Sequence, residues 1–238
     1  MNFNNIPIVT KFLIIINVIV FAFTEFLAPQ LGGLFSLKYF QNPEFAPWQI
    51  ITSMFTHGGT AHIFFNMFAL FMFGSAIERA WGPKKYLQLY AIAGIGAVLL
   101  HQGVQYLQVQ SALSQLPSDA LSRIIDQGRG LTYPSSENGA AWQKLGSNFL
   151  IPTVGASGAI YGILVAFGMM FPNTKLMFIF LPVPIKAKYF IPIGIVAELF
   201  LGVGNFSWDN IAHFAHLGGA LFGFIMVMMW KKDNTVIY

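Results

Sequence analysis

The sequence has no cysteine and very few charges. Without cysteine it can form no disulfide, thiol nucleophile or thiolate metal site, so any metal would need histidine and carboxylate ligands. Charged residues make up 9% of the 238 residues, whereas roughly a quarter of an average soluble domain is charged. So few charges could not cover a soluble surface of this size. Because hydrophobic residues reach 55%, we predict an integral membrane protein with helical spans.

Six apolar runs are long enough to be spans, each near the ~20 residues that a bilayer core requires. We predict spans at residues 9–28, 61–79, 87–107, 155–172, 188–204 and 210–230. The first run resembles a signal peptide, but no Ala-x-Ala site follows it, so we interpret it as an uncleaved span. The short, proline-broken run LMFIFLPVPI at 176–185 is interpreted as an interfacial loop that could extend a neighbouring span.

The basic residues indicate the orientation of the chain. They lie beside the apolar runs and form no patch, so the net charge of +4 does not indicate a nucleic-acid partner. If the N-terminus is cytoplasmic, nine Lys and Arg residues fall on the cytoplasmic side and four on the other, which accounts for all 13. The positive-inside rule therefore favours two cytoplasmic termini. We predict one all-α membrane domain over residues 1–238.

One long polar insertion, residues 108–150, separates the third and fourth predicted spans and is expected to be an extracytoplasmic loop. It contains a stretch that could form a short helix ending at Gly128. Leu121, Ile124 and Ile125 would share one face of that helix, which suggests an amphipathic helix on the outer membrane surface. The alternative is a partly disordered loop.

Polar side chains inside membrane spans are rare and need a reason. His62 and Asn66 lie four residues apart in the second span, so they share one helix face and can donate hydrogen bonds toward a common point. Ser157, in the stretch GASGAIYG, begins the fourth span, where the first N–H groups of a helix have no intrahelical partner. Gly155 and Gly158 would let a substrate or another helix approach the backbone closely.

A glycine stripe in the sixth span predicts how a base would reach this serine. His216, Gly219 and Gly223 are spaced i, i+3 and i+7, so the glycines would pack on the small residues of the fourth span. That packing would bring His216 to Ser157. A neutral imidazole can take the serine proton, and the polar pair of the second span with the serine N–H could stabilise an oxyanion.

No carboxylate is evident as a third member of this group. Asp209 precedes His216 by seven residues, roughly 10 Å along a helix, which is too far for a hydrogen bond. Glu25, Glu78 and Glu198 lie in other spans, with no motif that links them to the site. We therefore predict a serine–histidine dyad.

These motifs resemble those of the rhomboid family of intramembrane serine proteases. HGGTAHIFFNM, IERAWGP, GASGAIYG, FPNTK and AHLGGALFG occur in the family's order between about residues 48 and 225. G-x-S-G alone would be weak evidence for this resemblance. The evidence is strong because H-x-x-x-N precedes it and A-H-x-x-G-x-x-x-G follows it, each on a predicted span. The resemblance implies a six-helix bundle that cleaves single-span membrane proteins near the outer face, without a cofactor or metal.

The resemblance also implies a role for individual residues. Ser157 matches the nucleophile of the family, and His216 matches its general base. His62 and Asn66 match the side chains of the oxyanion hole. Tyr161 matches an aromatic residue that packs against the ring of the catalytic histidine.

Supporting positions follow in the same way. Gly155 and Gly158 match the glycines that flank the nucleophile. Glu78 and Arg79 match a structural pair that closes the second span. The stretch GVGNFSWDN, residues 202–210, is a candidate mobile lid beside the site.

Three functions remain open at this point. The chain could be an active protease, an inactive relative that binds transmembrane segments without cutting them, or a metal or proton transporter lined by His57, His62, His213 and His216. The presence of both dyad residues argues against the second, and G-x-S-G has no use in the third. His57 and His213 are otherwise interpreted as structural.

The expected partners are the lipid bilayer and single-span membrane protein substrates, not nucleic acid, and we expect a monomer. Because no long transit peptide precedes the first span, a bacterial inner membrane is predicted, with the active site opening to the extracytoplasmic side.

Overall fold

The computed structural model describes residues 5–128, 138–178, 181–204 and 211–232. Its helices are α1 (Ile8–Ala22), α2 (Gly32–Phe35), α3 (Gln49–Thr52), α4 (Thr60–Ala69), α5 (Ser75–Leu113), α6 (Ala120–Gln127), α7 (Gly139–Leu150), α8 (Ser157–Met170), α9 (Ala187–Gly204) and α10 (His213–Lys232). One antiparallel hairpin joins β1 (Lys175–Phe178) to β2 (Leu181–Lys186). Five-residue π-helical turns extend α1 and α4 through Phe23–Leu27 and Leu70–Gly74, and short 3₁₀ turns occupy Pro29–Leu31 and Ser53–Phe55.

Within the described residues, four helical stretches are long and apolar enough to cross a membrane: Ile8–Leu27, Thr60–Leu113, Ala187–Gly204 and His213–Trp230. The 54-residue stretch is interrupted at Gly82, whose φ of 79° and ψ of 166° are not helical, and Pro83 follows it. α8 is also apolar but has only 14 residues. The chain is therefore an all-α membrane protein.

Helices α5, α8 and α10 form the closely packed centre of the molecule. A Cβ on Gly219 would collide with the carbonyl oxygen of Gly158, and a Cβ on Gly223 would collide with the backbone of Gly162. A Cβ on Gly158 would in turn collide with Ala97 of α5. The helices thus approach to backbone contact, in agreement with the predicted glycine stripe. This packing sets the start of α10 beside the start of α8.

Glu78 of α5 fixes the start of α1. Its buried carboxylate accepts hydrogen bonds from the backbone N–H groups of Val9 and Thr10, at 2.9 and 2.7 Å, and from the Thr10 hydroxyl at 2.8 Å. No side chain of its own segment caps α1, so Glu78 supplies the acceptors and negative charge that a helix N-terminus favours. Arg79 donates to the carbonyl oxygen of Asn5 at 2.7 Å. The two residues therefore bind the N-terminal segment separately.

The predicted 108–150 insertion is largely helical where the structure describes it. α5 continues to Leu113, and α6 and α7 pack beside its end around a second core. The buried members of this second core are Tyr39, Val109, Ala112, Ala120, Ile124, Ala141, Trp142, Leu145 and Phe149. Gly128 ends α6, as predicted, with a φ of 57°. Ile124 is fully buried in this second core and Leu121 packs against it, whereas Ile125 is exposed, so the place of this helix on the outer membrane surface stays a prediction.

The described residues of the run predicted to be an interfacial loop, 176–178 and 181–185, lie in the two strands of the β-hairpin. Lys175 pairs with Lys186, and Leu176 pairs with Ile185. Pro182 and Pro184 lie in β2, and α9 begins after this strand, at Ala187. The apolar run that sequence reasoning treated as a possible span extension is therefore a separate element.

Candidate active site

Ser157 is the first residue of α8, and the loop before it is tied in place. Thr153 exchanges two backbone hydrogen bonds with Leu37, at 2.8 and 2.9 Å, and the N–H of Gly155 donates to the carbonyl of Ser53 at 2.9 Å. Gly155 has a φ of 122°, a conformation that other residues rarely adopt. Because a first-turn N–H has no intrahelical acceptor, the Ser157 amide is a donor beside its own hydroxyl.

A small cavity adjoins Ser157. It is lined in part by Ser53, His101 and Thr153, and its volume of about 30 Å³ is room for roughly two water molecules. His101 Nε2 lies 2.8 Å from the Thr153 hydroxyl oxygen, so this histidine, which has no partner motif in the sequence, helps to hold the loop before the serine. A water held here would lie next to the serine hydroxyl.

The structure brings Ser157 and His216 together across α8 and α10. Nε2 of His216 lies 2.8 Å from Oγ of Ser157, which is hydrogen-bonding distance. The ring of Tyr161 stacks on the imidazole of His216, with centroids 4.4 Å apart and planes 9° apart. Tyr161 is one helical turn after Ser157, so a single helix presents both the hydroxyl and the ring that fixes the base. This geometry would allow the imidazole to take the serine proton.

Glu198 of α9 joins this group, although the sequence analysis did not assign it to the site. Its Oε2 lies 2.5 Å from Nδ1 of His213 and 3.0 Å from Nδ1 of His216, while the Tyr161 hydroxyl donates to Oε1. The prediction from the sequence that no carboxylate lies near the dyad is wrong, because Glu198 lies beside His216. Asp209, the other acid considered near the base, lies outside the described residues.

One signal could have pointed to Glu198. It is the one acidic residue of α9, a helix whose other residues are mostly apolar and exposed. A carboxylate at such a depth in a membrane needs a partner, and histidines of a neighbouring span are the natural candidates. The prediction failed because contact between α9 and α10 depends on tertiary packing and leaves no local spacing motif.

His62 and Asn66 lie on α4, and His62 reaches the backbone beside the serine. A Cβ on Gly155 would lie 2.7 Å from Nε2 of His62 and 3.5 Å from Oγ of Ser157, so both groups flank this glycine. Nδ1 of His62 accepts a hydrogen bond from the N–H of Gly58 at 3.3 Å, which leaves Nε2 as the donor. Among the described residues, the buried Nδ2 of Asn66 has no acceptor and is also an available donor.

His57 lies in the loop before α4 and supports His62 from the side. The two imidazole rings meet edge to face with centroids 5.1 Å apart. Burial, with a smaller contribution from the nearby His62, lowers the pKa of His57 from 6.5 to about 4. His57 is therefore neutral at physiological pH, and its position fits the structural role predicted for it. His213, also predicted to be structural, instead contacts Glu198.

Glu198, His213 and His216 are also the described residues whose side chains could surround a metal ion. Their nitrogen and oxygen atoms lie within 4.8 Å of one another. The hydrogen bonds from Tyr161 and His213 to Glu198, and the one between His216 and Ser157, account for this cluster without a metal, however. The four histidines of the predicted transporter do not form one group, since His57 and His62 contact each other at α4 whereas His213 and His216 meet Glu198.

Comparisons with known proteins agree with these motifs. The family profile of the rhomboid domain matches residues 44–232. An uncharacterized mitochondrial rhomboid protein of Schizosaccharomyces pombe is 29% identical over 211 residues, covering 79% of this chain and 52% of the relative. The rhomboid protease AarA of Providencia stuartii is 28% identical over 183 residues, with 74% and 53% covered. Mitochondrial rhomboid protein 1 of Saccharomyces cerevisiae is 27% identical over 177 residues, with 73% and 39% covered.

The same comparisons correct the predicted location and define the family. Relatives from two yeasts, zebrafish and Arabidopsis carry a mitochondrial designation, which contradicts the bacterial inner membrane inferred from the sequence. The chain spans about half the length of the curated relatives it matches. Because the rhomboid profile covers most of its length, the chain belongs to the rhomboid family.

Proposed function

We propose that this protein is an intramembrane serine endopeptidase that cleaves transmembrane segments of single-span membrane proteins. One observation carries the proposal: Nε2 of His216 lies 2.8 Å from Oγ of Ser157, at the N-terminus of a helix within an apolar bundle. Membership of the rhomboid family and similarity to a relative named as a protease support it. The hydrogen-bonded pair favours an active enzyme over an inactive relative that only binds transmembrane segments.

In the first half of the reaction, Oγ of Ser157 attacks the scissile carbonyl carbon while Nε2 of His216 takes the hydroxyl proton. The carbonyl oxygen becomes an oxyanion that can accept hydrogen bonds from the Ser157 N–H, Nε2 of His62 and Nδ2 of Asn66. When the C–N bond breaks, His216 returns its proton to the leaving amine, and an acyl-enzyme ester remains on Ser157.

In the second half, water attacks the ester carbon and His216 accepts its proton. The cavity beside Ser157 has room for such a water, although apolar helices surround it. Collapse of the second tetrahedral intermediate releases the acid product and returns the proton to Ser157. Every step uses side chains of this chain, so the proposal includes no cofactor and no metal.

The proposed setting is a bilayer crossed six times, with both termini on the cytoplasmic side and the site opening to the opposite side. Treating Thr60–Leu113 as two spans that meet at Gly82, and counting the short α8, gives six. A substrate helix hides its carbonyls in intrahelical hydrogen bonds, so we expect cleavage where a substrate span unwinds easily. We propose that the enzyme acts as a monomer. The predicted lid residues 205–210 lie outside the described residues.

A fluorophosphonate probe tests the proposal, because it labels only an activated serine. The detergent-purified wild type is expected to be labelled and to cleave a single-span test protein, whereas Ser157→Ala and His216→Ala are not. Ser75→Ala is the matched control, since Ser75 is a buried helix serine that is not part of this site. Labelling of Ser157→Ala equal to wild type, or an unlabelled wild type, would contradict the proposed activity.

A further inference from the structure

Glu198 carries a carboxylate in the protein interior, where an apolar side chain would pack better and where no surface ion pair could involve it. Its side chain is 13% exposed and lies between α8 and α10. Two hydrogen bonds hold its oxygens, one from the Tyr161 hydroxyl to Oε1 and one from Nδ1 of His213 to Oε2, and Nδ1 of His216 lies 3.0 Å from Oε2. An ionised carboxylate is acceptor-only, so this arrangement suits its charged form.

The carboxylate faces the side of His216 that the serine does not use. Nε2 of the imidazole is directed to Ser157 at 2.8 Å, and Nδ1 lies 3.0 Å from Oε2 of Glu198. If Nδ1 carries the proton in the resting enzyme, Nε2 has a free lone pair and can accept the serine proton. The negative charge of Glu198 favours that tautomer over the reverse.

The other titratable groups near His216 cannot supply this charge. They are Tyr161 on α8, His213 on α10 itself, His62 on α4 and His101 on α5. A histidine is neutral or positive, and a tyrosine that donates to a carboxylate is neutral. Among the described residues, Glu198 is therefore the one anion that faces the base.

We infer that Glu198 is a positioning residue that converts the Ser157–His216 pair into a serine–histidine–glutamate relay, with Tyr161 and His213 holding the carboxylate in place. The inference rests on the proposed protease function. When the serine proton moves to Nε2, the imidazolium holds protons on both nitrogens, and Glu198 stabilises the Nδ1 side while keeping no proton itself. We expect Glu198 to lower the free energy of the transition state and not that of the bound substrate.

Kinetics of Glu198→Gln test this role, because glutamine keeps the size of the side chain but removes its charge. We expect kcat to fall by about 10²-fold or more, and KM to change less than about threefold. The acidic limb of the pH profile of kcat/KM, which reports protonation of the free base, should move to lower pH. Glu198→Asp keeps the charge on a shorter side chain, so its kcat should be at least about tenfold higher than that of Glu198→Gln.

Two controls separate this role from a purely structural one. Glu25→Gln makes the same change at an exposed glutamate at the end of α1 and should leave both kcat and the pH profile unchanged. End-point titration with the fluorophosphonate counts folded, active enzyme, so kcat is expressed per active site. If Glu198→Gln does not fold, Tyr161→Phe and His213→Gln, which each remove one donor to the carboxylate, should still lower kcat by about fivefold to twentyfold.

The outcomes distinguish the inference from the proposed function. An unlabelled, inactive wild type contradicts the protease itself. An active wild type with Glu198→Gln kinetics and pH profile like those of Glu25→Gln contradicts the relay and leaves the dyad intact. A loss of thermal stability with unchanged kcat per active site also overturns the relay, because it assigns Glu198 to packing.

Discussion

Replacing Glu78 should destabilise the protein by an amount that its three hydrogen bonds determine. The carboxylate is 4% exposed and accepts from two backbone N–H groups and the Thr10 hydroxyl, at 2.7 to 2.9 Å. In Glu78→Ala all three donors lose their acceptor. The Thr10 hydroxyl can turn to the carbonyl of Pro7 or Ile6, three or four residues earlier, but the part-buried N–H of Val9 and the buried N–H of Thr10 are left without a partner. At about 1–3 kcal/mol for each, the expected loss in the free energy of unfolding is about 4 kcal/mol.

Glu78→Gln should cost roughly half as much. The glutamine oxygen can keep both bonds to Thr10, while its NH₂ group faces the N–H of Val9, so one donor is left unsatisfied at about 2 kcal/mol. Thermal unfolding in detergent, followed by tryptophan fluorescence, measures both variants. For a chain of this size each kcal/mol lowers Tm by about 2–4 °C, so we expect falls of about 12 °C for alanine and about 6 °C for glutamine.

The control for this pair is Glu25→Ala, because Glu25 is exposed at the end of α1. Its Tm should stay within about 2 °C of wild type, since exposed substitutions usually change stability by less than about 0.5 kcal/mol. The reasoning is refuted if Glu78→Ala unfolds at the wild-type temperature, or if glutamine is as damaging as alanine. The second result would mean that charge at the helix N-terminus, and not the number of acceptors, determines the stability.

Two further predictions concern packing and pH. Gly219→Ala should abolish fluorophosphonate labelling of Ser157, because the new Cβ would push α10 away from α8. Gly103→Ala is the control, since no atom lies within 4 Å of a Cβ added there. This variant should be labelled normally and gain up to about 1 kcal/mol of stability. Normal labelling of Gly219→Ala would contradict close packing as the source of the site geometry. Because burial lowers the pKa of His57 to about 4, the unfolded chain binds this proton first as pH falls. The stability due to neutral His57 is full above about pH 6.5 and lost progressively toward pH 4, by about 3 kcal/mol. The difference in unfolding free energy between wild type and His57→Gln should therefore change across that range, and a constant difference would show that His57 does not titrate as its burial requires.

The central part of the site could be predicted because the relevant residues occur in local patterns. The spacing of His62 and Asn66 on one helix, and the position of Ser157 at a helix start, follow from helical periodicity alone. The glycine stripe of α10 also requires close packing on another helix, which limits where His216 can lie. Each of these inferences needed only one element or one pair of elements.

Other features could not be predicted, because they depend on contacts between distant segments. Glu198 reaches the base through the packing of α9 on α10, which no spacing in the sequence encodes. The second core forms because α5 extends to Leu113 and offers Val109 to α6 and α7, where a bilayer surface was expected. A periodic apolar face shows that a helix must be buried, but it does not tell whether lipid or protein will cover it.

The backbone pairing of Leu37 with Thr153 has a mechanical consequence. Leu37 lies two residues before Tyr39 of the second core, and Thr153 lies four residues before Ser157. The second core is therefore connected to the serine loop in two ways, by these two hydrogen bonds and by the chain that runs from Phe149 to Ser157. Loosening the second core would weaken one of the attachments that fix the position of the loop before the serine. The insertion thus helps to keep the serine loop rigid, although none of its described residues contributes a side chain to the bonds that break or form.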